Sequence, residues 1–176
     1  MKIITAPEHY DPISTDILVF LAGGITNCEN WQKECIKQLE ERYHGTDNLV
    51  VFNPRRENFP INDPSASLQQ IQWEFDAIER CDIFSMYFCS GESDQPICMY
   101  ELGRNILRIQ NRFPLDWEKR IVISVERGYK RKQDVLIQTD LATNNKLYIN
   151  TQYSKEICLA EHIENICNAF SRLKQN

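Results

Sequence analysis

Apolar runs alternate with helical patterns along the chain, and this alternation predicts the fold class. Five apolar runs predict strands, at residues 17–22, 49–52, 82–88, 120–125 and 147–149. The first run does not alternate with polar residues, which is typical of a strand covered on both faces. Patterns with helical spacing lie between the runs, at residues 31–42, 67–80, 98–110 and 155–173. Strands that alternate with amphipathic helices indicate βαβ units, so the sequence predicts an α/β fold with a mainly parallel sheet.

Local signals predict where several elements begin and end. Gly45 is placed to end the first helix, and Pro96 is placed to begin the third. The Pro-rich segment 53–64 is predicted to be a loop, and the polar segment 127–143 to contain one short helix. No repeat or linker interrupts the chain, so we expect one domain over residues 1–176.

Two of the helices carry apolar stripes that predict which side faces the sheet. In the third helix the stripe consists of Met99, Leu102, Ile106 and Ile109. In the second helix it consists of Leu68, Ile71, Phe75 and Ile78. At about 100° per residue, Trp73 points nearly opposite the second stripe. We therefore expect Trp73 to be a single exposed aromatic residue, part of a subunit interface, or a pocket wall.

Composition and charge exclude several classes of protein. Among the 176 residues, 42% are hydrophobic and 26% are charged, and the net charge is −5. This balance argues against a nucleic-acid polymer as partner, since such a surface needs clustered Lys and Arg. No apolar run is long enough to span a membrane, and the start lacks the apolar core of a signal peptide. The seven cysteines form no CxxC pair, so we expect reduced thiols in the cytoplasm, with no metal site and no cofactor. The three scattered histidines imply no Ser–His or Cys–His pair.

Two segments after predicted strands are candidates for ligand binding. Gly23 and Gly24 follow the first strand, where glycines let a ligand approach the backbone, although a plain tight turn needs them equally. Asn53, Arg55 and Arg56 follow the second strand, at the same edge of a parallel sheet. The arginines either hold a phosphate or carboxylate, or tie the Pro-rich loop through Asp63 or Glu57.

Carboxylates gather near the same edge and suggest glycosidic-bond chemistry. Glu74 lies on the shoulder of the second helix, and Asp94 lies in the loop before the third. Glu101 lies within the first turn or so of the third helix, where the helix dipole is expected to keep it ionised, as a nucleophile requires. Acidic residues also occur in first turns purely as caps. Asp82 opens a strand at the far edge, so we expect it to cap a turn or pair with an arginine.

An ordered set of short motifs resembles the nucleoside 2-deoxyribosyltransferase superfamily, in its "nucleoside 2-deoxyribosyltransferase-like" branch. The motifs are Phe20-Leu21-Ala22-Gly23-Gly24, Asn53-Pro54-Arg55-Arg56, Gln70-Ile71-Gln72-Trp73-Glu74, Tyr100-Glu101-Leu102-Gly103 and the later residues Gly128, Tyr129, Arg131, Asp134, Val135 and Gln138. The resemblance covers roughly residues 17–138. It implies a flavodoxin-like sandwich with a five-stranded parallel sheet, and assembly into homo-oligomers with the helix 67–80 at or near the subunit contact.

The resemblance also implies roles for individual residues. Glu101 matches the nucleophile that attacks the anomeric carbon, and Glu74 stands where the family usually has an Asp that contacts or protonates the base. Phe20 replaces a Tyr whose hydroxyl orients the nucleophile. The acidic loop residue of the family falls near Asp94–Gln95, within one residue.

The sequence thus predicts an enzyme that cleaves the N-glycosidic bond of a small nucleoside or nucleotide, by 2-deoxyribosyl transfer or by hydrolysis. Two alternatives stay open. One is a nucleotide-sensing module without turnover, which the missing hydroxyl at Phe20 favours and the intact Glu101 opposes. The other is an activity like that of an NAD glycohydrolase, since the same type of bond joins nicotinamide to ribose.

Overall fold

The computed structural model describes residues 1–43, 48–60 and 62–175, and six parallel strands form one sheet within them. The strands are β1 (Lys2–Thr5), β2 (Ile17–Gly23), β3 (Leu49–Asn53), β4 (Ile83–Phe88), β5 (Ile121–Val125) and β6 (Ile149–Asn150). Their order across the sheet is β1-β3-β2-β4-β5-β6. The prediction of five strands was one short, because the edge strand β1 has only four residues and buries Ile4 alone.

Five helices cover the two faces of this sheet in the described residues. They are α1 (Trp31–Arg42), α2 (Pro64–Arg80), α3 (Pro96–Arg112), α4 (Lys132–Thr143) and α5 (Lys155–Lys174). Helices α2, α3 and α4 pack on one face, while α1 and α5 pack on the other. Without β1 the strand order is that of flavodoxin-like folds. The predicted α/β fold, a flavodoxin-like three-layer sandwich with a parallel sheet, is confirmed.

Helix boundaries agree with several of the local signals. Pro96 begins α3 as predicted, and α4 occupies the segment 127–143 where one short helix was expected. Helix α2 begins at Pro64, three residues earlier than predicted, because the Asp63 side chain accepts a hydrogen bond from the Ser65 N–H at 2.9 Å. Gly45, expected to end α1, lies outside the described residues. Over residues 1–43, 48–60 and 62–175, no helix has the length and apolar character needed to cross a membrane.

Helix α2 is rotated relative to the prediction, and Ile78 alone of the predicted stripe is buried. Leu68, Ile71 and Phe75 are 60%, 63% and 49% exposed, so this part of the predicted stripe faces outward. Trp73 instead packs on Phe20 and Phe52, with ring centroids 6.3 and 5.8 Å away, and its indole N–H donates to the carbonyl of Glu8. The small buried residues Ala66 and Ala77 let this side of α2 approach the sheet, and Trp73 fills the remaining space. In α3 the predicted stripe is confirmed, with Leu102, Ile106 and Ile109 buried and Met99 packed against the same core.

The chain reverses its direction across the sheet between β2 and β4. These two strands are neighbours, yet the connection after β2 leads to β3 on one side and the connection after β4 leads to β5 on the other. In open α/β sheets such a switch point leaves a crevice at the carboxyl ends of the strands, where ligands bind. The carboxyl ends of β2 and β4 are therefore the first place to look for a functional site.

Candidate active site

A cavity of about 240 Å³ lies at this switch point. Its lining consists of Phe20, Ala22, Gly23, Gly24, Ile25, Thr26, Pro54, Glu74, Ser93, Gln95, Pro96, Ile97, Cys98 and Glu101. These residues come from the end of β2, the turn after it, the loop before α3, and the helices α2 and α3. Glu74 and Glu101 are the carboxylates of this lining, and no Lys or Arg from the described part of the chain belongs to it.

The glycines after β2 bring the turn close against β4. Gly23 has φ +150°, and a Cβ there would lie 2.3 Å from the carbonyl oxygen of Tyr87. A Cβ on Gly24 would lie 2.4 Å from the Sγ of Cys28. Both positions therefore require glycine for the packing of the turn. This agrees with the interpretation that a plain tight turn needs the two glycines. They also line the cavity, so their backbone is open to a ligand from the other side.

Glu101 reaches the cavity from α3 and Glu74 reaches it from α2. Burial and, to a lesser extent, the negative charge of Glu74 raise the pKa of Glu101 to about 7, and Arg104 opposes them in part. Burial also raises the pKa of Glu74, against a hydrogen bond from the Gln70 side chain at 2.7 Å. Across the described ranges, neither carboxylate forms an ion pair, since Arg104 pairs with Glu79 at 3.2 Å. The site therefore holds two carboxyl groups, and burial favours the neutral form of each.

Two expectations about Glu101 are wrong. Helix α3 begins at Pro96, so Glu101 lies in the second turn, beyond the free N–H groups that were expected to keep it ionised. Its pKa is raised rather than held low, because the cost of burial and the neighbouring Glu74 outweigh the helix dipole. The Glu101 carboxyl is about half protonated near neutral pH.

Phe20 lines the cavity, and Trp73 stands behind it. The Phe20 ring is 1% exposed and offers the carboxyl groups no hydroxyl. Trp73 was expected to be a pocket wall or to point outward. It does not belong to the lining and instead packs behind Phe20, which it supports.

The basic segment after β3 faces away from this cavity. The guanidinium of Arg55 donates to the carbonyls of Glu29 and Cys28, at 2.7 and 2.9 Å, and to the side chain of Gln32. Arg55 thus ties down the loop before α1, through partners other than the expected Asp63 or Glu57. Asn53 accepts a hydrogen bond from the Arg55 N–H, and Arg56 stacks on Phe59 with its guanidinium carbon 5.5 Å from the ring centre. The structure does not bring Asn53, Arg55 or Arg56 together with Glu74 and Glu101.

The acidic loop residue is also outside the cavity. Asp94 is exposed, and its carbonyl accepts a hydrogen bond from the Tyr129 hydroxyl. Its neighbour Gln95 lies in the cavity wall, 5% exposed, where its side chain bonds the backbone of Cys89 at both ends. The sequence placed the family's acidic loop residue near Asp94–Gln95, and the structure places Gln95 in the cavity wall, where it holds the backbone of Cys89. The sequence signal for this role of Gln95 was its position directly before Pro96, the first residue of α3. Gln95 has φ +47° and ends the loop.

The fold also contains polar contacts that the sequence did not indicate. His162 hydrogen-bonds Ser85 at 2.7 Å and Ser124 at 2.8 Å, so a Ser–His pair exists although none was expected. All three residues are fully buried, and burial lowers the pKa of His162 to about 3, so the pair joins α5 to the sheet and has no access to substrate.

Asp82 accepts a hydrogen bond from the Leu18 N–H and lies 3.9 Å from Arg112 at the far edge of the sheet, as expected. In the ranges that the structure covers, no three His, Cys, Asp or Glu side chains are grouped to hold a metal ion.

Comparison with known proteins supports the same region of the chain. The family described as "nucleoside 2-deoxyribosyltransferase like" matches residues 16–113, which is more than half of the chain and includes β2, α2, α3 and both cavity carboxylates. No curated protein matches. At the level of the family, this match supports a glycosyl-transfer function related to nucleosides. The chain belongs to the nucleoside 2-deoxyribosyltransferase-like family.

Proposed function

We propose that this protein cleaves the N-glycosidic bond of a nucleoside, with Glu101 as the nucleophile at the anomeric carbon. The observation that carries the proposal is the presence of two carboxyl groups, Glu74 and Glu101, in one cavity at the switch point of the sheet. Cleavage of a glycosidic bond passes through an oxocarbenium-like transition state, which a carboxylate stabilises while a second acid protonates the leaving group. The two residues supply this pair.

Each carboxyl group has one role in the proposed reaction, and burial raises the pKa of both. Glu74 is the proposed acid, which in its protonated form donates a proton to the departing base. Glu101 ionises with a pKa of about 7, so a nucleophilic carboxylate is available at and above neutral pH. The acceptor of the sugar is either a second base, which gives transfer, or water, which gives hydrolysis.

The lining of the cavity supports a neutral substrate. Among the described residues no Lys or Arg lines the cavity, and Arg104 offsets the charge of Glu101 only in part from outside the lining. A phosphate placed there would meet like charge in a desolvated site. Apolar contacts from Phe20, Ile25 and Ile97 suit a sugar ring or a base. We therefore place nucleosides ahead of nucleotides and NAD as substrates.

The test is release of free base from a panel of nucleosides, monophosphates and NAD. Glu101→Gln keeps the shape of the side chain and removes the nucleophile, so base release is expected to fall at least about a thousandfold with the fold retained. Glu41→Gln, an exposed position on α1, is the matched control and is expected to behave as the wild type. Normal turnover by Glu101→Gln would show that the assignment is wrong.

A nucleotide-sensing module is the second candidate, and Phe20 is the observation that favours it. Its ring lines the cavity without a hydroxyl to orient Glu101. Saturable binding of a nucleoside or nucleotide without release of base, in the wild type and in Glu101→Gln alike, would establish this alternative.

We further propose that the protein forms a homo-oligomer through α2. The outward residues Leu68, Ile71 and Phe75 form an exposed apolar stripe on this helix, and Ile97 and Tyr100 are exposed on the neighbouring α3. Contiguous apolar surface of this kind marks an interaction site.

All seven cysteines are free thiols, which supports the proposed cytoplasmic location, since the cytosol keeps thiols reduced.

A further inference from the structure

A second and larger cleft lies beside the outermost strand. Two helices, α1 and α5, cover one face of the six strands, so the end of β1 is left partly uncovered on that side. The space between β1, α1 and the segment after β3 is a cleft of about 750 Å³. We call it the arginine cleft; its lining includes Ile3, Ala6, Lys33, Lys37, Arg55 and Arg56.

The charge of the arginine cleft opposes that of the whole protein. Its cations are Lys33, Lys37, Arg55 and Arg56, against the carboxylates Glu34, Glu40 and Glu57. The lining is thus net positive, in a chain whose net charge is −5. The excess in the lining is one positive charge, and this sign favours an anion over a cation as ligand.

Arg56 carries a buried hydrogen-bond donor, its Nη1, that lacks an acceptor among the described residues. A buried donor without an acceptor is costly, and native proteins satisfy such groups almost everywhere. Stacking on Phe59 fixes the plane of the guanidinium without satisfying its N–H groups. Arg56 as a whole is half-buried and lines the cleft. A turn of its guanidinium towards the cleft brings Nη1 to a phosphate oxygen, a ligand that its planar geometry suits.

Arg55 separates the arginine cleft from the cavity that holds Glu101. Its guanidinium is bonded to the carbonyls of Cys28 and Glu29, in the loop that continues from the glycine turn. This loop borders the cavity through Ile25 and Thr26 and borders the cleft through Asn30. Arg55 contributes charge to the cleft while its hydrogen bonds maintain the wall.

We propose that the arginine cleft is a second binding site, which takes a phosphate monoester and is separate from the cavity of Glu74 and Glu101. The phosphate binds Arg56 with support from Lys33 and Lys37, and the organic part of the ligand packs on Ile3, Ala6 and Ile36. The volume of the cleft fits a molecule of nucleotide size rather than a phosphate ion alone.

The experiment measures binding by calorimetry at low ionic strength, with inorganic phosphate and thymidine monophosphate as probes and thymidine as competitor. The wild type is expected to bind inorganic phosphate saturably. Thymidine monophosphate is expected to bind more tightly than inorganic phosphate and to displace it. Arg56→Gln should weaken phosphate binding about tenfold, as loss of one charge-assisted hydrogen bond predicts. Arg172→Gln, an exposed arginine on α5, removes the same charge elsewhere and should bind as the wild type.

Two further measurements separate this site from the cavity. Glu101→Gln should bind phosphate as the wild type does, and excess thymidine should leave bound phosphate in place. Because phosphate binding is the readout, a protein that releases no base from any nucleoside leaves this proposal standing. If Arg56→Gln fails to fold, the double variant Lys33→Gln/Lys37→Gln changes two exposed side chains and should show a similar loss. Absence of saturable binding, equal losses in Arg56→Gln and Arg172→Gln, or displacement of phosphate by thymidine would each overturn the proposal.

Discussion

Glu74 and Glu101 face one cavity from two different helices, and the charge of Glu74 contributes to the raised pKa of Glu101. Burial is the larger cause, and Arg104, which pairs with Glu79, lowers the pKa only in part. The two carboxyl groups are therefore coupled through the space that a substrate would fill. Any change to one of them alters the proton affinity of the other, and this coupling can be measured.

The first prediction concerns the pH dependence of base release. Because the proposed nucleophile must be ionised while the proposed acid Glu74 is protonated, kcat/KM should follow a bell-shaped pH profile, with one limb at about 7, the pKa of Glu101. Glu74→Gln removes both the acid and the neighbouring charge, so the limb of Glu101 should move to lower pH while the maximal rate falls. The shift should be partial, since burial is the larger cause and remains. A wild-type profile without a limb near 7 would contradict the geometry of the pair.

The second prediction concerns stability and has a definite sign. Below pH 4.5, the ordinary pKa, Glu101 is protonated in the folded and unfolded chain alike, so its burial costs little. Between pH 4.5 and about 7 the unfolded chain loses this proton while the folded protein keeps it, so the free energy of unfolding decreases over this range and levels off above 7. Glu101→Gln removes that cost and should stabilise the protein by about 2 kcal/mol above pH 8.

Urea unfolding of wild type and Glu101→Gln at high and low pH measures this effect. The difference between the two proteins should disappear below about pH 4, where the carboxyl group is neutral. Glu41→Gln, being exposed, should show no such dependence. A Glu101→Gln protein that is less stable than wild type at high pH would mean that the carboxylate is stabilised in the fold by contacts other than those described.

The third prediction concerns Arg55. Its guanidinium holds the loop before α1 through two backbone carbonyls and Gln32, so Arg55→Gln should lower the free energy of unfolding by about 2 kcal/mol. Any loss of activity should be equal for nucleosides and monophosphates, because the effect acts through the wall of the cavity. Thermal unfolding and base-release assays on both substrate types test this. A loss restricted to monophosphates would instead indicate direct contact with a phosphate.

The fourth prediction concerns assembly. Ile71 is 63% exposed on the outer stripe of α2, so Ile71→Glu would place an unpaired charge in the proposed subunit contact and shift the protein towards monomer. Ile157→Glu, on the opposite layer at 55% exposure, is the matched control and should leave the mass unchanged. Sedimentation decides between the outcomes, and a wild type that remains monomeric at high concentration contradicts the proposed oligomer. Trp73→Glu is unsuited to this test, because Trp73 packs on Phe20 and its replacement should destabilise the fold.

Much of the fold could be predicted from local patterns, because each of them reports burial directly. The central strands are buried on both faces and therefore appear as continuous apolar runs, as in Leu18–Ala22 of β2. The stripe of α3 was readable because its helix packs by its most apolar side. The short β1 was missed because four residues with one fully buried side chain give almost no periodic signal.

By itself the sequence determined the alternation of strands and helices, the family, and the two carboxylates that the cavity contains. The tertiary structure alone decided how α2 is rotated, where Arg55 donates its hydrogen bonds and whether Glu101 is charged at neutral pH. Helical spacing shows which residues share a side, but the side that faces the sheet depends on distant partners, here Phe20 and Phe52 against Trp73. The pKa of Glu101 likewise depends on burial and on Glu74 in another helix, since desolvation and charge act through space rather than along the chain.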